Sequence, residues 1–173
     1  VLDLPNPSPS YQIAFEGYAK AGYGVCIDDV EVTGDVVYQS AYEQWKQDMF
    51  GADAGDPLIA GDLADPDMDG IENRREYALA LDPLTPDAEG LPTGGVTAGY
   101  LTLSYRENQS ASDVLFQVEA CTDLLVQDWT TNGVSEILRG DSNLWWQVTT
   151  RHDVPVTNAP QRFLRLKLTW PAP

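Results

Sequence analysis

The sequence predicts a mainly β protein with a small helical insert, and three observations carry that expectation. Near the C-terminus Leu164, Leu166, Leu168 and Trp170 alternate with Arg165, Lys167 and Thr169, and Val114, Phe116 and Val118 alternate with Leu115, Gln117 and Glu119. That period of two belongs to strands with one buried face. Near the N-terminus, residues 11–33 are rich in aromatic and β-branched residues and alternate in part. Between the two, apolar residues at helical spacing flank a short, strongly acidic loop.

These signals divide the chain into four segments. Residues 1–39 are expected to form a β-strand arm, from Tyr11-Gln12-Ile13-Ala14-Phe15-Glu16-Gly17 and from Tyr23 to Gly34. Residues 40–83 are expected to form a helix, a loop and a second helix. Ser40-Ala41-Tyr42-Glu43 reads as a capping box, in which the hydroxyl accepts from a free backbone N–H of the first turn. Tyr42, Trp45 and Met49 follow on one face, and Gly51 is a C-terminal stop. The second helix is expected from near Glu72 to Leu81, ended by Pro83, with Ile71, Tyr77, Ala78 and Leu81 turned to the first. Trp45 against Tyr77 would then make a small core. Residues 84–97, with Pro86, Pro92, Gly94 and Gly95, read as a linker. Residues 98–173 read as an antiparallel β-sandwich, with strands at Tyr100–Arg106, Asp113–Ala120, Val134–Leu138, Leu144–Thr150 and Arg162–Trp170.

The loop between the helices is Asp65-Pro66-Asp67-Met68-Asp69-Gly70-Ile71-Glu72-Asn73-Arg74-Arg75-Glu76. It satisfies every fixed position of D-x-[DN]-x-[DN]-G-x₅-E. Calcium is a hard cation that takes about six to eight oxygens. Asp65, Asp67 and Asp69 would supply carboxylates at positions 1, 3 and 5. Ile71 would offer its carbonyl at position 7, Asn73 would act at position 9, directly or through water, and Glu76 would close the shell at position 12. Gly70 takes the sharp turn, where a side chain would clash. Ca2+ is therefore the expected cofactor, and the middle segment becomes a helix–calcium loop–helix.

The loop resembles both an EF-hand loop and the dockerin or thrombospondin type 3 class of extracellular calcium repeats. The longer run from Asp65 to Pro83 looks most like the latter. It departs from the EF-hand at position 8, where Glu72 replaces the apolar residue that pairs two loops, and the chain holds no second loop of this pattern. A single structural site is expected, whose loss of metal disorders residues 60–83 and leaves the C-terminal sandwich folded. Ile13-Ala14-Phe15-Glu16 and Gly24-Val25-Cys26-Ile27-Asp28-Asp29-Val30 resemble the closing strands of a MAM-like jelly roll, which implies a further cation role for Asp28, or less so Asp29. Phe116-Gln117-Val118-Glu119-Ala120, Asp123-Leu124, Trp129-Thr130 and Phe163-Leu164-Arg165-Leu166 are similar to small sandwich domains that follow calcium repeats in secreted bacterial proteins. Together these likenesses imply the C-terminal region of a large secreted bacterial protein.

Charge narrows the partners. The formal net charge is −17, and 43% of the residues are hydrophobic. The apolar share is enough for a core. The negative charge argues against nucleic acid and against anionic membrane surfaces. No apolar run reaches the ~20 residues of a membrane span. The start, Val1-Leu2-Asp3-Leu4-Pro5, without an initiating Met or a signal pattern, reads as a processed product or a fragment. Acidic calcium ligands suit the extracellular space or the cell surface. Cys26 and Cys121 are either a disulfide between arm and sandwich or two buried thiols.

Catalytic signatures are missing from the sequence. His152 is the only histidine, which excludes a multi-histidine zinc site and reads as a surface-loop residue. Neither G-x-S-x-G nor H-E-x-x-H occurs. Trp145-Trp146 on a strand would place one ring in the core and one outside, where it could stack on a sugar or lie in an interface. Asn108-Gln109-Ser110 is a glycosylation sequon. The expected function is that of a non-enzymatic, calcium-stabilised extracellular structural or adhesive protein. Its partners would be other extracellular domains or further copies of the chain, with strand addition by residues 11–33 building filaments. The alternative is the non-catalytic C-terminal targeting or carbohydrate-binding region of a secreted hydrolase or protease, with polysaccharide as its partner. No nucleic acid and no membrane insertion are expected.

Overall fold

The computed structural model describes residues 40–87, 89–158 and 161–170. The arm of residues 1–39, with Asp28, Asp29 and Cys26, lies outside the described residues. So does the pairing of Cys26 with Cys121, whose own side chain is buried. Tyr38–Pro173 forms one compact unit.

Two short helices come first among the described residues. Helix α1 spans Ala41–Phe50, and the Ser40 hydroxyl accepts from the Glu43 N–H at 3.1 Å, the N-cap half of the expected capping box, while the Glu43 carboxylate pairs with Lys46 at 2.6 Å. Gly51 ends it with a φ of 56°. Helix α2 spans Asn73–Leu79 and ends sooner than its apolar spacing suggests. Ala80 turns left-handed at a φ of 54°, and the Leu81 N–H then reaches the Glu76 carbonyl at 2.9 Å. This is the six-to-one bond of a Schellman ending, here without the usual glycine.

Six strands follow: β1 Thr93–Thr97, β2 Tyr100–Asn108, β3 Leu115–Cys121, β4 Val134–Asp141, β5 Trp145–Pro155 and β6 Phe163–Thr169. They form two antiparallel sheets, one ordered β1-β2-β5-β4 and one pairing β3 with β6. The fold is mainly β with two short helices. Strand β1 lies in the stretch expected to be a linker. All five of its residues are exposed, so no apolar face marks it in the sequence. Its backbone bonds to β2 hold it, through a tight turn at Ala98 and Gly99 with φ of 51° and 84°. Positive φ at both turn residues is the type I′ geometry that matches strand twist.

Leu103 and Tyr105 of β2, Val148 of β5 and Val118 of β3 share one core with Phe116, Val134, Trp146, Leu164 and Leu166. Both sheets contribute to it, as the alternation of β3 and β6 requires. Val114 departs from that pattern. It lies before β3 and packs on the helical cluster of Tyr42, Tyr77 and Ala111.

The helices are not a separate body beside the sheets. Trp45 and Tyr77 do meet, with ring centroids 5.4 Å apart, and Tyr42 lies 5.0 Å from Tyr77. Ile71 and Leu81, expected to face α1, instead join Leu79, Leu91 and Leu166 of β6. For Leu81 the early end of α2 explains the change, because after Ala80 the chain no longer follows helical periodicity; Ile71 lies before the helix starts at Asn73 and so is not placed by its period. The segments 40–83, 84–97 and 98–173 thus belong to one unit. Among the described residues, no helix is long and apolar enough to cross a membrane.

Candidate metal centre

The acidic loop folds on itself through its own backbone. The Asp69 N–H donates to Asp65 Oδ1 and to Asp67 Oδ1, both at 3.2 Å. The Gly70 N–H donates to Asp65 Oδ2 at 2.9 Å, and the Ile71 N–H to Asp69 Oδ1 at 2.8 Å. Asx turns of this kind curl the chain around its own carboxylates. Gly70 has a φ of 89°, which explains its residue type. Met68 also turns left-handed, at a φ of 63°, with its side chain 87% exposed. No feature of a methionine announces that conformation in a sequence.

Two further contacts close the loop. The Asn73 N–H donates to the Ala64 carbonyl at 2.9 Å, joining the residue before Asp65 to the start of α2. The Asn73 side-chain amide donates to the carbonyls of Ile59 and Gly61 at 2.8 and 2.9 Å. That use of the amide group leaves Oδ1 buried and without a donor.

Asp65, Asp67 and Asp69 each bring a carboxylate oxygen within 4.8 Å of the others, an arrangement that could hold a metal ion. Glu76 supplies the strongest sign. It is 1% exposed, and neither of its carboxylate oxygens has a hydrogen-bond partner. Burial raises its pKa to about 8, helped by the negative charges of Asp67, Asp69, Asp65 and Asp82. Burial also lifts the Asp67 carboxyl, against the hydrogen bond from the Asp69 N–H, which lowers it, and with the charges of Asp69 and Asp65 raising it. The unpartnered acceptors are concentrated here. Among the described residues, the buried side-chain oxygens that can only accept and that lack a donor are Asp67 Oδ2, Asn73 Oδ1 and both oxygens of Glu76. An uncompensated buried carboxylate is costly, and a cation is the partner that would satisfy several acceptors at once.

The structure therefore joins Asp65, Asp67 and Asp69, and the fields of those three act on Glu76. Ile71 is 3% exposed, and its side chain anchors the loop against Leu79 and Leu81. Sequence reasoning missed the supports. The Asp87 N–H donates to Asp69 Oδ2 at 3.0 Å from eighteen residues away. Arg74 pairs with Asp62 at 3.3 Å and stacks on Trp170, 4.1 Å from its ring centroid. No local pattern encodes contacts between residues so far apart.

Other sequence candidates resolve differently. His152 is 7% exposed within β5, and its Nδ1 accepts from the Val154 N–H at 3.0 Å, so it is a strand residue and not a loop one. Trp146 packs into the core, while Arg106 covers a face of the Trp145 ring at 4.4 Å. Asn108 Nδ2, the atom a glycan would occupy, donates to the Tyr77 carbonyl at 2.7 Å. Compared with known proteins, the chain matches no family model and no curated sequence.

Proposed function

We propose that the chain is a calcium-stabilised, non-enzymatic module of an extracellular or cell-surface protein, with a structural or adhesive role. The observation that carries the reading is Glu76, a buried carboxylate without a donor beside three aspartates drawn together. Calcium suits this donor set because every candidate ligand is a hard oxygen and no nitrogen or sulfur takes part. Carboxylates of Asp65, Asp67, Asp69 and Glu76, with the Ile71 carbonyl and Asn73, would hold the ion. A bound cation would neutralise the loop and fix α2 against the sheets. The shared core of the two sheets supports a sandwich that displays its loops while the ion braces one end. Self-association, or contact with other extracellular domains, is the partner class that fits a net charge of −17 only when calcium screens or bridges it.

Isothermal titration with calcium chloride tests this. One calcium per chain is expected, lost in Asp65→Asn and Glu76→Gln, with a melting temperature that falls on chelation. Absence of calcium binding by the folded wild-type chain would overturn the reading.

A further inference from the structure

Asp113 lies in the connection between β2 and β3, far in sequence from the acidic loop, yet it ties both helices. Its Oδ1 accepts from the Tyr77 hydroxyl at 2.5 Å, and its Oδ2 from the Tyr42 N–H in the first turn of α1 at 2.9 Å. Tyr77 is fully buried and follows Glu76 directly on α2. Its carbonyl accepts from Asn108 Nδ2 at 2.7 Å, at the other end of the same connection. Ala111 and Val114 complete the contact by packing with Tyr42 and Tyr77. The rest of the connection is held by local bonds, Ala111 N–H to the Asn108 carbonyl at 3.1 Å and Val114 N–H to the Ala111 carbonyl at 3.2 Å, and at its start by Gln109, whose N–H donates to the Leu144 carbonyl at 3.1 Å and whose Nε2 donates to Asp141 Oδ1 at 2.8 Å.

From this juxtaposition we infer that occupation of the metal centre and order of the β2–β3 connection are coupled, with Asp113 as the positioning residue between them. The inference rests on the calcium reading above. Glu76 can close a metal shell only if α2 holds its orientation, and the side chain after it is clamped by Asp113. The metal fixes α2 from one side and the connection fixes it from the other. By linkage each must strengthen the other. A preorganised α2 binds the ion with less ordering cost, and a bound ion keeps the Tyr77 hydroxyl on Asp113. Loss of metal would then reach beyond residues 60–83, into residues 108–114 between the two sheets.

Hydrogen exchange on the wild-type chain, with calcium and with chelator, reads the coupling directly. Chelation is expected to speed exchange of residues 108–114 as well as of residues 65–79. Tyr77→Phe removes one hydroxyl and keeps the ring among its aromatic neighbours. It is expected to weaken calcium binding roughly fivefold, and Asp113→Ala roughly tenfold or more, although neither residue is a ligand. Wild-type protein that binds calcium but exchanges residues 108–114 at one rate in both states would overturn the coupling alone. So would a folded Tyr77→Phe chain of unchanged affinity. Wild-type protein that binds no calcium would overturn the metal reading and this inference with it.

Discussion

At position 76 a carboxylate is buried with no donor for either oxygen, and four aspartates press their charge on it. Its pKa of about 8 in the metal-free protein stands above the unfolded value of 4.5. The folded state therefore holds the proton more tightly than the unfolded one. Metal-free stability should fall as pH rises from about 4.5 through about 8, the reverse of an ion-paired carboxylate. Glu76→Gln removes this dependence and should make the metal-free protein more stable than wild type above pH 8, while abolishing calcium binding. Denaturant melts of both chains with chelator at several pH values check it, and parallel wild-type and variant profiles would contradict it. The acidic spacing that singles out position 76 was legible in the sequence, because the pattern specifies residue type and spacing. Its missing donors were not, because they depend on what surrounds it.

Individual elements show where local rules give way. Ser40 and Gly51 bound α1 as their chemistry requires, since a cap and a left-handed stop act within one turn. Helix α2 ends at Leu79, and β1 forms from residues with no buried face. Both outcomes come from backbone partners that sequence periodicity does not see. The β3–β6 pair was readable from alternation, and the face opposite its apolar residues carries an ion cluster around a buried Glu119. Arg165 Nη2 and Nε donate to Glu119 Oε2 at 2.7 and 2.9 Å, and Lys167 approaches Oε1 at 3.3 Å. The Arg165 hydrogen bond, joined by Lys167, holds the Glu119 carboxyl below its usual 4.5. Its contribution is present above pH 4.5 and lost as pH falls through the depressed value. Arg165 and Lys167 are about half exposed, so water screens the cluster. Glu119→Gln should cost on the order of 1 kcal/mol at neutral pH and nothing in strong acid. Urea melts at the two pH values measure it, and an equal loss at both would contradict it.

On the scale of the whole molecule, the helices, the acidic loop and the sheets cohere in one compact unit from Tyr38 to Pro173. Leu166 joins the core shared by the two sheets to the cluster of Ile71, Leu79 and Leu81, and Asp113 joins the β2–β3 connection to both helices. Unfolding of this unit should therefore be a single transition. Thermal melts followed by helical circular dichroism and by tryptophan fluorescence are expected to coincide, and calcium at roughly 100 times its Kd should add about 2.7 kcal/mol to both. Two separate transitions after chelation, helical signal first, would show that the helices melt alone.

Residue chemistry within a short window was determined by the sequence alone. It specified the acidic spacing from Asp65 to Glu76, the cap at Ser40, the stop at Gly51 and the alternation of β3 and β6. Each depends on neighbours a few positions away, which a helix turn or a strand pleat brings together by geometry common to all chains. Tertiary structure decided which buried groups found partners. It placed Ile71 and Leu81 beneath β6, brought Asp87 to Asp69 and Asp113 to Tyr77, and left Glu76 without a donor. Hydrogen bonding and burial are satisfied by whatever lies close in space, and separations of eighteen and thirty-six residues leave no periodic trace.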